Sequence, residues 1–172
     1  MNDILELETR RKIYNLILEN PGLHLSKIAE ILKMRISLVE YHLIFLEKNE
    51  IITPVRESGY TRFYVFGEIG IKDKKILSLL RQEIPLRIIL FLLKSDSIQH
   101  KDILENIDVA PSTLSYHLKK LVKHSIIATQ TYGEERGYSI INKQEIIKLL
   151  VKYKPYNLIE SFKDIWVDLK IE

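Results

Sequence analysis

The chain has 172 residues, 46% of them hydrophobic and 28% charged, which is enough apolar mass for one large core or two small ones. Lysine and arginine number 26 against 23 acids, a formal charge of +3 that excludes a polybasic profile, and the absence of cysteine removes disulfides, thiolate metal sites and cysteine nucleophiles together. Met1-Asn2-Asp3-Ile4-Leu5-Glu6 lacks the basic-then-apolar layout of a signal peptide and the longest apolar run, Ile88–Leu93, is too short to span a bilayer, so a cytoplasmic globular protein with no membrane partner is expected.

In chain order, Thr9–Asn20 carries Ile13, Leu16 and Ile17 at helical spacing and stops at Pro21-Gly22. A second, short helix is expected over Leu25–Leu32. After a break at Lys33–Arg35, a third helix over Ile36–Asn49 turns Val39, Leu43 and Leu46 inward. Apolar β-formers in Ile51–Arg56 and Thr61–Phe66 flank the polar turn Ser58-Gly59 and predict a hairpin. Lys72–Arg81, with Ile76, Leu77 and Leu80, reads as a linker helix.

The next stretch repeats the first. Ser37, Tyr41, His42, Leu43 and Leu46 recur 75 residues later as Ser112, Tyr116, His117, Leu118 and Leu121. Further on, Gly59, Arg62 and Tyr64 match Gly133, Arg136 and Tyr138, which implies a one-residue slip in the turn between the strands. The second copy predicts helices over Pro85–Lys94, Lys101–Asn106 and Pro111–His124, then strands over Ile126–Tyr132 and Gly137–Ile141. Arg35 and Ala110, just before the third helices, are poor caps, so packing or Ser37 and Ser112 must hold those ends. Gln144–Tyr153 predicts another helix. A last helix over Asn157–Lys170 places Leu158, Phe162, Ile165, Trp166 and Leu169 along one apolar seam, read as a homodimer interface or, alternatively, as a helix folded back on its own chain.

Three helices followed by a hairpin is the winged helix-turn-helix plan. The expected fold is therefore mainly α with small β-hairpins (α+β): tandem winged helix-turn-helix domains at 1–66 and 84–142, a linker with a helix at 67–83, and a C-terminal helical dimerisation segment at 143–172. Ser112-Thr113-Leu114-Ser115-Tyr116-His117-Leu118-Lys119-Lys120-Leu121, followed by Ile126-Ile127, resembles the recognition helix and following strand of ArsR-like winged-helix transcriptional regulators, archaeal ones above all. The whole layout, down to Tyr153-Lys154-Pro155-Tyr156, is similar to archaeal regulators with two such domains per chain. The resemblance implies duplex DNA as partner and transcription regulation as function.

With Leu114, Leu118 and Leu121 inward, the third helix of the second copy turns out Ser112, Thr113, Ser115, Tyr116, Lys119, Lys120 and Lys123, hydroxyls and ammonium groups suited to bases and phosphates. Arg136 adds a wing contact, although its wing, with Glu134 and Glu135, is net −1, while the first wing, with Arg56 and Arg62 against Glu57, is net +1. The matching face of the first copy offers Arg35, Ser37 and Tyr41, with Arg62 in its wing, but also Glu40 and the apolar Ile36, Leu38, Ile44 and Phe45. That mixture suits a protein partner better than phosphates. Unequal duty follows, the second copy on DNA and the first on another surface. A tandem winged-helix scaffold for protein–protein contacts with little DNA binding, and a weakly specific architectural DNA binder, remain open alternatives. His42 and His117 read as partly buried, hydrogen-bonded histidines, not as metal ligands. With no phosphate-cradling glycine loop or nucleophile elbow, neither catalysis, nor a metal, nor a cofactor is expected.

Overall fold

The computed structural model describes residues 7–57, 59–132 and 135–153, and divides the chain into two compact units, Met1–Ser78 and Leu79–Glu172. The first unit runs α1 (Glu8–Glu19), β1 (Leu23–His24), α2 (Leu25–Leu32), α3 (Ile36–Lys48), β2 (Ile52–Glu57), β3 (Tyr60–Val65) and α4 (Ile71–Leu80), the last crossing the unit boundary. The second runs α5 (Glu83–Leu93), β4 (Ile98–Gln99), α6 (His100–Asn106), α7 (Pro111–Lys123), β5 (Ile127–Tyr132), β6 (Glu135–Ile140) and α8 (Lys143–Lys152). Both are winged helix-turn-helix units.

The hairpin expected from sequence is in each case one strand short. The two residues of β1 and of β4 add to the far side of β3 and β6, giving three-stranded antiparallel sheets of order β1-β3-β2 and β4-β6-β5. A two-residue strand has no periodicity to betray it. Pro54 sits in β2, an edge strand, where its missing N–H leaves no ladder bond broken.

Pairing also corrects the sequence alignment. Ile52 faces Val65 and Ile127 faces Ile140, while Leu23 faces Phe63 and Ile98 faces Tyr138, so the offset of 75 holds through the last strand without a slip. Arg62 is therefore equivalent to Gly137, and Arg136 to Thr61. Identical residues one place apart had suggested otherwise. Strand geometry forbids it, because a one-residue shift would turn every core side chain to the other face of the sheet.

The core follows the same offset. In the first unit Ile13, Ile17, Leu23, Ile28, Ala29, Val39, Leu43, Leu46, Ile52, Phe63 and Val65 are buried together. Ten of those eleven positions are buried again 75 residues on; Leu104, opposite Ala29, is half-exposed. Neither Arg35 nor Ala110 caps its helix with a side chain, and the first turns are instead anchored by Val39 and Leu114, both fully buried. Caps do exist elsewhere: the His24 Nδ1 accepts from the Lys27 N–H at 3.3 Å, and the Asn142 Oδ1 accepts from the Glu145 N–H at 3.1 Å. No described helix is long and apolar enough to cross a membrane.

Both third helices end alike. Glu50 and Ser125 have φ of 57° and 55°, and the N–H groups of Ile51 and Ile126 reach back to the carbonyls of Leu46 and Leu121 at 2.9 and 3.1 Å. This is a Schellman motif with a non-glycine residue in its left-handed position, a conformation that costs roughly 1 kcal/mol for an L side chain. Glu50→Gly and Ser125→Gly are each expected to raise stability by about 0.5–1 kcal/mol in urea denaturation, since strain relief outweighs the extra freedom of glycine in the unfolded chain.

Candidate nucleic-acid interface

Burial of Leu114, Leu118 and Leu121 fixes how α7 is turned. Ser112, Tyr116, Lys119 and Lys123, spaced 4, 3 and 4 residues apart, form one exposed line along it, with Tyr116 59% exposed. Thr113 and Ser115 flank this line half-exposed. Lys120 is a correction. It is half-buried on the inner flank, where its Nζ donates to the Gln82 side-chain oxygen at 3.1 Å just before α5. The helix still turns out two lysines, and no acidic residue occurs between Pro111 and Lys123.

The wing adds one exposed cation to this face, next in sequence to Glu134 and Glu135. Arg136 lies exposed on β6, at the position of Thr61, which in the first unit lines the groove between third helix and wing. Lys101, which the sequence pattern did not single out, occupies the position of Ser26 at the start of the second helix and is also exposed. Its basic character was readable. Its place at the groove was not, because that depends on how the second helix meets the sheet.

The first unit presents the same surface with different chemistry. Arg35, Ser37, Tyr41 and Lys48 are exposed on or beside α3. Ile44, 47% exposed, stands where the second unit has Lys119, and Glu40 and Glu47 replace Ser115 and Val122. Ile36 and Leu38 are exposed as expected, but Phe45 is not: it is half-buried beneath the Arg10 guanidinium, 3.6 Å from its ring centroid. Phe45 and Lys120 are equivalent positions, and both face inward.

Arg62 is the largest correction. It is 4% exposed, lies on the central strand β3 and donates from Nη1 to the Gly22 carbonyl at 2.8 Å. A guanidinium held inside the domain cannot reach a groove, so Arg62 is a structural residue. The second unit has Gly137 in its place.

His42 is buried and His117 half-buried, each with its ring edge-on to the preceding Tyr41 or Tyr116 at 5.1 and 5.0 Å. The Nδ1 of both has no hydrogen-bond partner among the described residues, contrary to the hydrogen-bonded histidines expected. Burial pushes both below the ordinary imidazole range, helped by the nearby charge of Arg10 at His42 and of Lys120 at His117. Burial lowers His24 too, with Arg62 and Lys27 adding to it. Among the described residues no group of three or more His, Asp or Glu side chains is placed to hold a metal ion. Leu158, Phe162, Ile165, Trp166 and Leu169 lie outside the described residues. Of the preceding segment, α8 buries Ile146, Leu149 and Leu150 within the single chain.

Family models of DNA-binding domains match each unit. Residues 6–53 match a family model of winged helix-turn-helix DNA-binding domains, and residues 85–129 match that of the bacterial regulatory protein arsR family. An uncharacterized HTH-type transcriptional regulator of Methanocaldococcus jannaschii is 33% identical over 137 residues, which are 80% of this chain and 34% of that protein, so the chain spans about a third of that relative's length. Among solved structures, HlyU from Vibrio cholerae shows 22% identity and a TM-score of 0.43 over 48% of this chain and 91% of its own.

Two outcomes separate the paired arginines. Arg62→Ala is expected to destabilise the first domain by about 1–3 kcal/mol, because it leaves a buried carbonyl unsatisfied, whereas Arg136→Ala leaves thermal unfolding unchanged. For pH, the three histidines bind protons more weakly folded than unfolded. The unfolded state therefore takes up more protons as pH falls through about 6.5, and stability drops below that pH while remaining level above it. Melting temperatures measured between pH 7.5 and 5 check this, with His42→Phe flattening the slope.

Proposed function

We propose that this chain, built of two winged helix-turn-helix domains with the second of the arsR type, is a sequence-specific DNA-binding transcriptional regulator that reads duplex DNA through its second domain. The observation that carries the reading is a difference of charge at equivalent positions: three cations of the second domain are neutral in the first, and two neutral residues of the second are carboxylates in the first. The second domain's helix and groove display Lys101, Lys119, Lys123 and Arg136, whereas the first domain has Ser26, Ile44, Lys48 and Thr61 at those places and adds Glu40 and Glu47. Phosphates attract the first set and are repelled by the carboxylates of the other. The regulator named among the chain's relatives supports the same direction.

In this reading α7 enters the major groove. Ser112, Thr113 and Ser115 meet base edges or phosphate oxygens, Tyr116 meets the sugar–phosphate backbone, and Lys119 and Lys123 neutralise phosphates on either side. Arg136 extends from the wing and Lys101 from α6. Lys120 acts indirectly, by tying the inner flank of α7 to Gln82. Arg35, Ser37 and Tyr41 of the first domain add at most backbone contacts beside Glu40.

A homodimer formed through the apolar seam of Leu158, Phe162, Ile165, Trp166 and Leu169 would place two recognition helices on half-sites roughly 34 Å apart, or a multiple of that distance. Bound near a promoter, such a dimer blocks or recruits the polymerase.

Fluorescence anisotropy of the full chain on labelled random duplex, compared between about 50 and 200 mM salt, tests the reading. The affinity is expected to fall by orders of magnitude across that range. Lys119→Ala and Lys123→Ala should each weaken binding to all sequences and reduce the salt slope by about one unit. Ser112→Ala should alter preference between sequences selected from a random pool. Binding that ignores salt, or that Glu40→Gln strengthens while Lys119→Ala leaves it unchanged, would overturn the use of α7.

A further inference from the structure

The groove between α3 and the β2–β3 wing of the first domain has no part in the DNA reading. It encloses about 610 Å³ over a floor of Leu43 and Phe63. Its helix wall presents Glu40, Ile44 and Glu47, and its wing wall Arg56 and Tyr60, with the ring of Tyr60 5.2 Å from that of His24. A volume of this size, part apolar and part charged, falls in the range of sites that bind ligands.

Its chemistry selects the occupant. Glu40 and Glu47 are exposed, and neither is in an ion pair among the described residues. Seven residues apart on one helix, they point to nearly the same side, separated by roughly 10 Å along the axis. Set against the single Arg56 of the wing wall, the two unpaired carboxylates leave the groove net acidic, so it disfavours anions and favours a ligand with two cationic groups and an apolar part between them. The apolar surface also continues past the groove on the same side of the helix: Ile36, about one turn before Glu40, is 52% exposed. A strip of that length is more than a small dication covers, and it suits a stretch of polypeptide.

We propose that this groove docks a short basic segment of a protein partner, in which two Arg or Lys side chains meet Glu40 and Glu47 and an apolar side chain between them packs on Ile44. In the extended polyproline-II conformation, residues three apart lie on one side of the chain at about 9 Å, so an Arg-x-x-Arg segment with apolar central residues spans the two carboxylates. The second domain cannot do the same, since Ser115, Lys119 and Val122 stand in place of Glu40, Ile44 and Glu47. Duplication has thus placed different charges on equivalent outward faces of the two third helices.

The test uses the full chain and a fluorescein-labelled peptide, Gly-Arg-Leu-Leu-Arg-Gly, with two controls: one carrying Glu for Arg, the other Gly for Leu. The Arg-Leu peptide is expected to bind, the Glu peptide not at all, and the Leu-free peptide at least several-fold more weakly. The Glu40→Gln/Glu47→Gln double variant should lose at least tenfold in peptide affinity with its melting temperature unchanged, because both side chains are solvent-exposed. Lys119→Ala should leave peptide binding as it is, which keeps the outcome separate from that of the DNA titration. No binding of the Arg-Leu peptide, or equal binding to the double variant, would overturn the proposal. So would equal binding of the Leu-free peptide, or full displacement of the Arg-Leu peptide by comparable spermidine, either of which would reduce the groove to a trap for any dication.

Discussion

Everything that differs between the two domains depends on something they share: the inward stripe of the third helix, packed on the first helix and the sheet. Val39, Leu43 and Leu46 in one copy, and Leu114, Leu118 and Leu121 in the other, are at most 2% exposed. Close packing of this kind tolerates little change, since removing a buried leucine costs a few kcal/mol out of a total not much larger. With the inward stripe fixed, the opposite side of the helix is fixed as well, and each outward position acquires a definite place relative to the wing.

The outward positions carry no such constraint, and there the copies have diverged. Exchanges such as Ile44 against Lys119, Glu47 against Val122 and Thr61 against Arg136 are nearly free in folding energy, because surface substitutions usually change stability by no more than about half a kcal/mol. Their effect on recognition is large. Each alters the charge or polarity of an outward face that the shared core holds in the same orientation. Inward-turned positions show the complementary pattern: Phe45 and Lys120 differ completely in chemistry, and each finds its own intradomain partner in Arg10 or Gln82.

The same logic explains the pair of arginines. Arg62 sits on the central strand with its Nη1 on the Gly22 carbonyl, while Gly22 itself adopts φ +85° and packs so close to Tyr64 that a Cβ would come within 3.1 Å of its hydroxyl. The turn after α1, the short strand β1 and the central strand are thereby locked together in the first domain. Tyr64 continues the chain of contacts by donating to the Lys74 carbonyl of α4 at 3.0 Å. The second domain, with Gly137 and Ser139 at these places, has neither device; Arg136, one residue away, faces outward because side chains alternate along β6, as Thr61 does in β3.

Most of the fold was legible in the sequence, because helical spacing of apolar residues and the doubled Ser-x-x-x-Tyr-His-Leu pattern report local periodicity and duplication directly. The line Ser112, Tyr116, Lys119 and Lys123 was legible for the same reason: on a helix, an inward stripe implies an outward one. What the sequence could not supply was any property set by pairing between distant segments. The register of β3 and β6, the third strand of each sheet, the burial of Arg62, the withdrawal of Lys120 and Phe45, and the meeting of Lys101 with a groove all depend on which strand lies beside which and on what a long side chain reaches. Matching identical letters put Arg62 with Arg136; hydrogen-bonded strands put Arg62 with Gly137. Periodicity is a local property that a single chain displays in its order of residues, whereas register and side-chain partnership are decided only when separate segments compete for the same buried space and the same carbonyl oxygens.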